Sequence, residues 1–355
     1  MEAVFQASWE VAGRRKGVMK ERALGSILAT IGGTPLVELK KLMPGSGAHI
    51  FAKVERFNPG GSIKDRTAAS MLLEKIHTGE LEPARSVVIE SSSGNLAISI
   101  AQICRYYGIR FICVVDRKTA HLNIAILQAY GASVEVVTQP DPLTGDYLSV
   151  RLRRVRELMG TTPHAFWPNQ YANPLNPRAH EQTMREIADA LDGRADYLFC
   201  ATSTTGTLRG CAEYVRQHRL PTTIVAVDAV GSVLFGSQPT VTRLLPGHGA
   251  SVRPKLFDPS AADKVVHVTD LECVVGCRRL ILREAILAGG SSGAVIAAFE
   301  KLSGVIPSGA TCVLIFPDSG ERYLDTIYSD DWVTAHFGEV SQLWKDSEVT
   351  AVNEC

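Results

Sequence analysis

The sequence predicts an α/β fold made of two doubly wound lobes with a cleft between them. Strands of about five residues alternate with helices of about ten or more, which indicates parallel sheets covered by helices on both faces. The alternation runs through 86–159 and resumes in 176–316, after a break around Pro168. The chain has 355 residues, 45% of them hydrophobic, which is enough for two medium-sized lobes.

The first part of the chain predicts an N-terminal segment and the smaller lobe. Residues 1–24 carry weak helical spacing, and we expect them to pack on the body or on a second subunit. A turn at 31–36 leads into apolar runs of strand length and amphipathic stretches of helix length. The predicted strands here are 36–39, 50–54, 86–90, 110–115 and 133–137, and the predicted helices are 62–79, 95–107, 120–130 and 145–159.

The larger lobe is predicted from the alternation after Pro168. Its predicted strands are 196–200, 222–228, 264–268 and 311–316, and its predicted helices are 176–192, 206–219, 270–288 and 292–303. Residues 230–260 are rich in Gly, Pro and Ser and are expected to be irregular, and the polar residues from 338 are expected to form a loose tail. The predicted division is 1–60 as the N-terminal segment and part of the large lobe, 61–168 as the smaller lobe, 169–337 as the large lobe and 338–355 as the tail.

Composition excludes several classes of function. Lys plus Arg equals Asp plus Glu at 37 each, so no basic excess indicates nucleic acid or an acidic membrane surface. No apolar stretch is long enough to span a bilayer, and the N-terminus lacks the apolar core of a signal peptide. The eight cysteines are scattered without the spacing of a metal or redox pair, so we expect no metal and a reducing cytoplasm.

A lysine follows a glycine turn at the start of a predicted helix. The segment Asn-Pro-Gly-Gly-Ser-Ile-Lys-Asp-Arg (58–66) combines turn residues with Ser62 as a candidate N-cap, which places Lys64 in the first helical turn. An ammonium group is disfavoured at this end of a helix, so the pKa of Lys64 should fall. A lysine with a lowered pKa can act as a nucleophilic amine. The alternative is a surface lysine paired with Asp65 or Glu55.

Two hydroxyl-rich loops follow predicted strands, at the edge where parallel sheets bind ligands. Residues 91–96, Ser-Ser-Ser-Gly-Asn-Leu, open a helix and suit a carboxylate, although an ordinary helix cap uses the same residue types. Residues 202–207, Thr-Ser-Thr-Thr-Gly-Thr, suit a phosphate. This second loop is neither a Walker loop nor a dinucleotide fingerprint, so the phosphate need not belong to a nucleotide.

The lysine, the phosphate loop and the carboxylate loop together indicate one cofactor. Pyridoxal 5′-phosphate has an aldehyde that can form a Schiff base with Lys64 and a phosphate that suits the second loop. Its substrates are amino acids, whose carboxylate suits the first loop. The sequence therefore predicts an enzyme that acts on small amino-acid substrates.

These motifs resemble the fold-type II pyridoxal-phosphate enzymes, the cysteine synthase and cystathionine β-synthase family. The resemblance runs from Gly-Gly-Thr-Pro-Leu (32–36) to Ser-Gly-Glu-Arg-Tyr (319–323), which is nearly the whole chain. It implies the family fold, with the cofactor in the cleft between the lobes, and a homodimer. No haem-binding extension or C-terminal regulatory domain is expected, which argues against cystathionine β-synthase itself.

The resemblance assigns roles to residues that match the family motifs. Lys64 is implied as the Schiff-base lysine and general base, Asn95 as the partner of the cofactor's ring hydroxyl, and Ser319 as the residue that faces the pyridine nitrogen. The residues implied at the phosphate are Ser203, Thr204, Thr205, Gly206 and Thr207. The residues implied at the substrate carboxylate are Ser92, Ser93, Gly94 and Gln170.

Ser319 and its neighbour Asp318 bear on the type of reaction. A serine hydroxyl cannot keep the ring nitrogen protonated as a carboxylate would, which favours β-elimination and replacement over transamination. Asp318 stands where cysteine synthases usually carry Ser. We expect its side chain to point away from the site, because burying an unpaired carboxylate is costly.

Departures from the family motifs resemble a specialised branch. Leu96 stands where the carboxylate loop usually has Thr, and Ser203-Thr204-Thr205 replaces two glycines of the usual phosphate loop. Enzymes of that branch join O-phospho-L-serine to the amine of L-glutamate, making 2,3-diaminopropionate precursors for siderophores and peptide antibiotics. The alternatives are a cysteine synthase that uses O-acetylserine or O-phosphoserine with sulfide, and a non-catalytic cofactor-binding regulatory partner.

A phosphate leaving group requires a cationic partner. The run 151–156 contains four arginines, and a helix would place most of them on a solvated face. Arg151 is the candidate that points into the site, with Tyr171 beside it. The alternatives are a surface charge for Arg151 and a core aromatic for Tyr171.

Overall fold

The computed structural model describes residues 24–143, 145–236 and 243–345. The helical spacing predicted over 1–24 therefore lies outside the described residues, except for Leu24. The helices are α1 (Lys64–His77), α2 (Asn95–Tyr107), α3 (His121–Ala129), α4 (Tyr147–Thr161), α5 (Leu175–Ala190), α6 (Gly206–Gln217), α7 (Asp270–Glu284), α8 (Gly290–Leu302), α9 (Asp330–Phe337) and α10 (Gln342–Lys345). The strands are β1 (Leu36–Glu38), β2 (His49–Val54), β3 (Val87–Ser91), β4 (Arg110–Asp116), β5 (Ser133–Val137), β6 (Ala165–Phe166), β7 (Tyr197–Ala201), β8 (Thr223–Ala229), β9 (Lys264–Val268) and β10 (Thr311–Phe316).

The strands form two sheets, in agreement with the predicted α/β class. A six-stranded sheet has the order β1-β2-β10-β7-β8-β9, and a four-stranded sheet has the order β5-β4-β3-β6. The strand pairs are parallel except for β1, which runs antiparallel to β2. Parallel strands require crossover connections, which the helices between them provide.

Apolar layers cover both faces of each sheet. In the six-stranded sheet, one layer contains α7 and α8 and the other contains α5 and α6. In the four-stranded sheet, α1 and α2 contribute to one layer and α4 to the other. All five residues of β3 are buried, as expected for a central strand of a doubly covered sheet. The lobe boundaries derived from the sequence stay a prediction.

Two contacts bring the segment before α1 to the loop after β10. The backbone N–H of Ile63 donates to the carbonyl of Pro317 at 2.8 Å. Ser62 and Asp318 form an antiparallel bridge one residue further on. Lys64, the first residue of α1, is therefore fixed beside the carboxyl end of β10.

Several element boundaries differ from the prediction. Ile63, and not Ser62, occupies the cap position of α1, while the Ser62 hydroxyl accepts a hydrogen bond from the N–H of Lys64 at 3.2 Å. The helix predicted at 270–288 ends at Glu284, because the next residue takes a left-handed conformation. The short strand β6 was not predicted.

The predicted tail is not loose throughout. Residues Gln342–Lys345 form α10, and Trp344 is only 4% exposed within the largest apolar cluster. The guanidinium of Arg278 lies 5.3 Å from the centre of a Trp344 ring, which adds a cation–π contact. Across the described ranges, no helix has the length and apolar character needed to cross a membrane.

Candidate active site

One cavity brings the lysine and the phosphate loop together. Lys64 and the loop 203–207 both line it. Gly247 and Pro317 also contribute to its wall. The other predicted site residues do not line this cavity: Ser92, Ser93, Gly94, Asn95, Arg151, Gln170, Tyr171 and Ser319. The sheet topology explains the arrangement, since β7 and β10 are neighbours and both end at this edge.

Lys64 is half-buried and forms no ion pair within the described part of the chain. Burial lowers the pKa of Lys64, although the Asp318 and Glu55 carboxylates act in the opposite direction. The lowered pKa agrees with the prediction, but its main cause is burial and not the helix end. The alternative of a surface lysine paired with Asp65 or Glu55 is not found. A lysine with a lowered pKa loses its proton more easily and can then act as a nucleophile and base.

The two carboxylates next to Lys64 are engaged elsewhere. The carboxylate of Asp65 accepts hydrogen bonds from the Gly60 N–H at 2.5 Å and from the Ser99 hydroxyl. Glu55 is fully buried and accepts from Arg66 Nε at 2.7 Å. These bonds fix the glycine turn and the first turn of α1 around Lys64.

The phosphate loop has polar groups without hydrogen-bond partners among the described residues. Thr205 is buried in a left-handed conformation at φ 66°, and its hydroxyl has no hydrogen-bond partner among the residues described. Strained backbone conformations and buried hydroxyls without hydrogen-bond partners are often found at ligand sites. Gly206 is the first residue of α6. The N–H groups of the first helical turn have no partner within the helix, so they can bind an anion. The loop therefore fits a phosphate group.

Asn176 and His180 of α5 contact the side chains of the phosphate loop. The amide of Asn176 donates to the Thr204 hydroxyl at 3.3 Å. The Thr207 hydroxyl lies 3.4 Å from Nε2 of His180. Burial, with help from the charges of Lys64 and Arg66, lowers the pKa of His180 well below its usual value, so its imidazole is neutral.

The carboxylate loop lies between β3 and α2 as predicted. Gly94 occupies the cap position of α2, and no side chain in the described ranges caps the helix. The alternative that the serines serve as ordinary caps is therefore not supported. Ser92 is 8% exposed, and the carbonyl of Ser93 accepts a hydrogen bond from Asn123 at 3.0 Å.

Glu90 connects this loop to Gln170 and was missed in the sequence. Its carboxyl group is fully buried and accepts hydrogen bonds from Trp167 Nε1 at 3.0 Å and from the Ser91 N–H at 2.7 Å. The N–H of Gln170 also points at it, at 3.4 Å. Burial raises the pKa of Glu90 to about 7. A glutamate at the end of an otherwise apolar predicted strand was the available signal.

Arg151 is not a surface charge. Its side chain, on α4, is 11% exposed, and Nε lies 3.3 Å from the carboxylate of Asp116. Nη1 is buried and has no hydrogen-bond partner in the described ranges. Burial raises the pKa of Tyr171 while the charge of Arg151 lowers it, which makes the two side chains electrostatic neighbours.

Asp318 contradicts the expectation that it points away from the site. Its side chain is 2% exposed, and its Oδ2 accepts hydrogen bonds from Asn95 at 2.8 Å and from the Tyr323 hydroxyl at 2.7 Å. These donors offset the cost of burying the carboxylate, which the expectation did not include. Burial raises the pKa of Asp318. The Ser319 hydroxyl donates to the carboxylate of Glu321.

The fold and the cavity define an enzyme of the fold-type II class that depends on pyridoxal phosphate. The chain belongs to the family described as pyridoxal-phosphate dependent enzyme, whose sequence profile matches residues 27–318. Two curated relatives are named N-(2-amino-2-carboxyethyl)-L-glutamate synthase. The one from Ralstonia nicotianae is 48% identical over 309 residues, covering 87% of this chain and 90% of the relative. The one from Cupriavidus metallidurans is 47% identical over 312 residues, covering 87% and 91%.

A solved structure shares the fold. The O-acetylserine dependent cystathionine β-synthase from Helicobacter pylori superposes with a TM-score of 0.80 at 29% sequence identity. The match covers 87% of this chain and 100% of that one. The two-sheet architecture is therefore that of the family.

Proposed function

We propose that the enzyme joins O-phospho-L-serine to L-glutamate, giving N-(2-amino-2-carboxyethyl)-L-glutamate and phosphate. The names of the two curated relatives support this product. The observation that carries the choice of donor is Arg151, whose buried Nη1 has no hydrogen-bond partner among the described residues, although its Nε lies beside Asp116. An unsatisfied buried guanidinium N–H is costly unless an anion binds it. The product is a precursor of 2,3-diaminopropionate for a siderophore or a peptide antibiotic.

The residues around the cavity fit pyridoxal phosphate. When bound, the cofactor supplies an aldehyde for amines and withdraws negative charge from the substrate Cα. Lys64 would hold the aldehyde carbon and Asn95 the ring oxygen. Ser319, whose hydroxyl would turn from the Glu321 carboxylate, would face the ring nitrogen. The phosphate would be held by Ser203, Thr204, Thr205, Gly206 and Thr207. The orphan hydroxyl of Thr205 and the free helix start at Gly206 support this assignment.

The protein groups then position the substrates and move one proton. Ser92, Ser93, Gly94 and Gln170 hold the carboxylate of the donor substrate. Lys64, whose pKa burial lowers, takes the proton from Cα and returns it after the amine has added at Cβ. Arg151, beside Tyr171, receives the phosphate that leaves Cβ, since charge-assisted hydrogen bonds to phosphate are strong. Two substrates that react in turn predict ping-pong kinetics.

The test compares two arginines of one helix. Arg151→Met should lower kcat/KM for O-phospho-L-serine by roughly a hundredfold or more, because a charged hydrogen bond to the leaving group is lost. Arg153→Met is the matched control, since Arg153 is 57% exposed on the same helix and should leave the rate unchanged. Phosphate release and the mass of the product are measured with L-glutamate and with sulfide. Turnover with sulfide alone would identify a cysteine synthase, and absence of product with every donor would identify a non-catalytic partner.

The assembly and the location follow the same proposal. We expect a cytoplasmic enzyme, because the seven described cysteines are buried free thiols, as in reducing compartments. We expect a homodimer from the family resemblance. Light scattering after size-exclusion chromatography measures the mass, and a monomer across micromolar concentrations would contradict the dimer.

A further inference from the structure

A chain of hydrogen bonds fixes the orientation of the Asn95 side chain. Asn95 Nδ2 donates to Asp318 Oδ2 at 2.8 Å. Arg322 donates to Asn95 Oδ1 from the other side. A second N–H group of Arg322 donates to the carbonyl of Gly60 at 2.8 Å, which anchors the guanidinium. Both ends of the amide are therefore assigned by hydrogen bonds, one to the carboxyl group of Asp318 and one from the guanidinium of Arg322.

This orientation leaves one donor of Asn95 free. A side-chain amide has two N–H donors on its nitrogen, and Asp318 takes only one of them. No second acceptor of Asn95 Nδ2 occurs within the described part of the chain. The remaining N–H is available to an acceptor on a bound ligand.

Asp318 is built into this position. The Tyr323 hydroxyl donates to the same oxygen, Oδ2, at 2.7 Å. Its other oxygen, Oδ1, lies where a Cβ on Gly289 would approach to 2.1 Å, so only glycine leaves room for the carboxylate. Oδ1 is buried and has no hydrogen-bond partner in the described ranges. The bridge between Ser62 and Asp318 places this carboxylate near Lys64.

A carboxylate and a serine at this position have different consequences. An ionised carboxylate only accepts hydrogen bonds, so it selects the amide orientation in which nitrogen faces it. A serine hydroxyl donates or accepts and therefore selects neither orientation. Asp318 therefore selects one orientation of the Asn95 amide, whereas the serine usual at this position in the family would not.

We infer that Asp318 is a positioning residue that turns the Asn95 amide so that its second N–H faces the ring oxygen of the cofactor. The inference rests on the cofactor site and is independent of the donor and the acceptor substrate. When ionised, Asp318 also provides a negative charge that raises the pKa of Lys64. Replacing Asp318 should therefore change the affinity for the cofactor and the reactivity of Lys64.

A double-mutant cycle tests the link to Asn95. The wild type, Asp318→Asn, Asn95→Ala and the double variant are freed of cofactor and titrated with pyridoxal phosphate, with the visible absorbance as readout. Asp318→Asn alone should weaken cofactor binding roughly tenfold, as for a lost charge-assisted contact, and should shift the absorbance maximum. In the Asn95→Ala background, the same substitution should add little. Equal losses in both backgrounds would overturn the inference.

A second readout does not need the cofactor. Labelling of Lys64 in the cofactor-free protein by an amine-reactive reagent is followed by mass spectrometry across pH. Its midpoint should fall by about one pH unit in Asp318→Asn, because a negative charge near the ammonium group is removed. Tyr323→Phe keeps the carboxylate and should shift the cofactor absorbance in the same direction by less, which covers the case that Asp318→Asn does not fold. Unchanged cofactor affinity and absorbance in both variants would overturn the inference, even if the labelling midpoint moved.

Discussion

At the scale of single residues, burial and not local sequence decides the chemistry of Lys64. A helix end disfavours a positive charge by about 0.3–1 kcal/mol. For Lys64, burial is the largest cause that lowers the pKa. The residues around Lys64 come from distant segments, and Pro317 is one of them. The sequence therefore predicted the direction of the pKa shift but not its main cause.

Two carboxyl groups of the site also depend on tertiary contacts that the sequence does not show. Asp318 was expected outside because its donors, Asn95 and Tyr323, could not be placed next to it from the sequence. Glu90 was counted as part of a strand, although Trp167 supplies a buried donor from far along the chain. Motifs located the loops, but the satisfaction of buried polar groups depends on tertiary contacts.

Gly206 should not tolerate a side chain. A Cβ at this position would lie 2.1 Å from Oδ1 of Asn176. Asn176 cannot move away without losing its hydrogen bonds to the Gln170 carbonyl at 2.8 Å and to Thr204. Gly206→Ala should therefore lower the free energy of unfolding by about 1–3 kcal/mol and weaken cofactor binding.

Urea unfolding of the cofactor-free protein and titration with pyridoxal phosphate measure the two effects of this change. Gly304→Ala is the control, because no atom of the described residues lies within 4 Å of a Cβ at that glycine. Equal behaviour of the two alanine variants would show that the phosphate loop adapts freely.

At the scale of elements, regular patterns were predicted well and short elements were not. The bounds predicted for α2 (Asn95–Tyr107), β9 (Lys264–Val268) and β10 (Thr311–Phe316) are confirmed, because each has a full apolar pattern between clear breaks. The strand β6 has two residues, too few for any pattern. The helix α10 is held in place by the burial of Trp344, which its polar neighbours conceal in the sequence.

Glu90, at the end of β3, should make stability depend on pH. Burial raises the pKa of its folded form from 4.5 to about 7, so the folded state binds its proton more tightly than the unfolded state. Between about pH 4.5 and 7 its contribution to the free energy of unfolding should therefore fall as pH rises, by about 3 kcal/mol in total. Glu90→Gln removes this dependence.

The unfolding free energies of the wild type and Glu90→Gln are compared at pH 5 and pH 8. Relative to the wild type, the variant should be less stable at pH 5 than at pH 8. Glu80→Gln, an exposed glutamate paired with Lys75, is the control and should show no such difference. A constant difference between Glu90→Gln and the wild type at both pH values would mean that Glu90 is not protonated in the folded state near neutrality.

At the scale of the whole molecule, one network of charges ties the layers of the two sheets together. Arg66 on α1 pairs with Glu55 and with Glu186 on α5, each at 2.7 Å. Lys53 on β2 also pairs with Glu186, at 2.7 Å. The helix α1 packs in the core of the four-stranded sheet, whereas β2 belongs to the six-stranded sheet. The network therefore fixes α1, the helix that carries Lys64, between the two sheets.

Glu186→Gln should destabilise the whole molecule by about 2 kcal/mol at neutral pH, because the cations of Arg66 and Lys53 lose a partner where water is scarce. Burial disfavours its charge, but the hydrogen bonds from Arg66 and Lys53 outweigh burial and hold the pKa of Glu186 below its usual value. This stabilisation is present above the unfolded pKa of glutamate and is lost as pH falls, so the difference from the wild type should shrink below about pH 4. Urea unfolding at pH 7 and pH 3.5 measures both values.

Glu213→Gln is the control, since Glu213 is 40% exposed in a surface pair and should change stability by less than about 0.5 kcal/mol. A loss in Glu186→Gln no larger than in this control would mean that the network contributes specificity of packing and not stability.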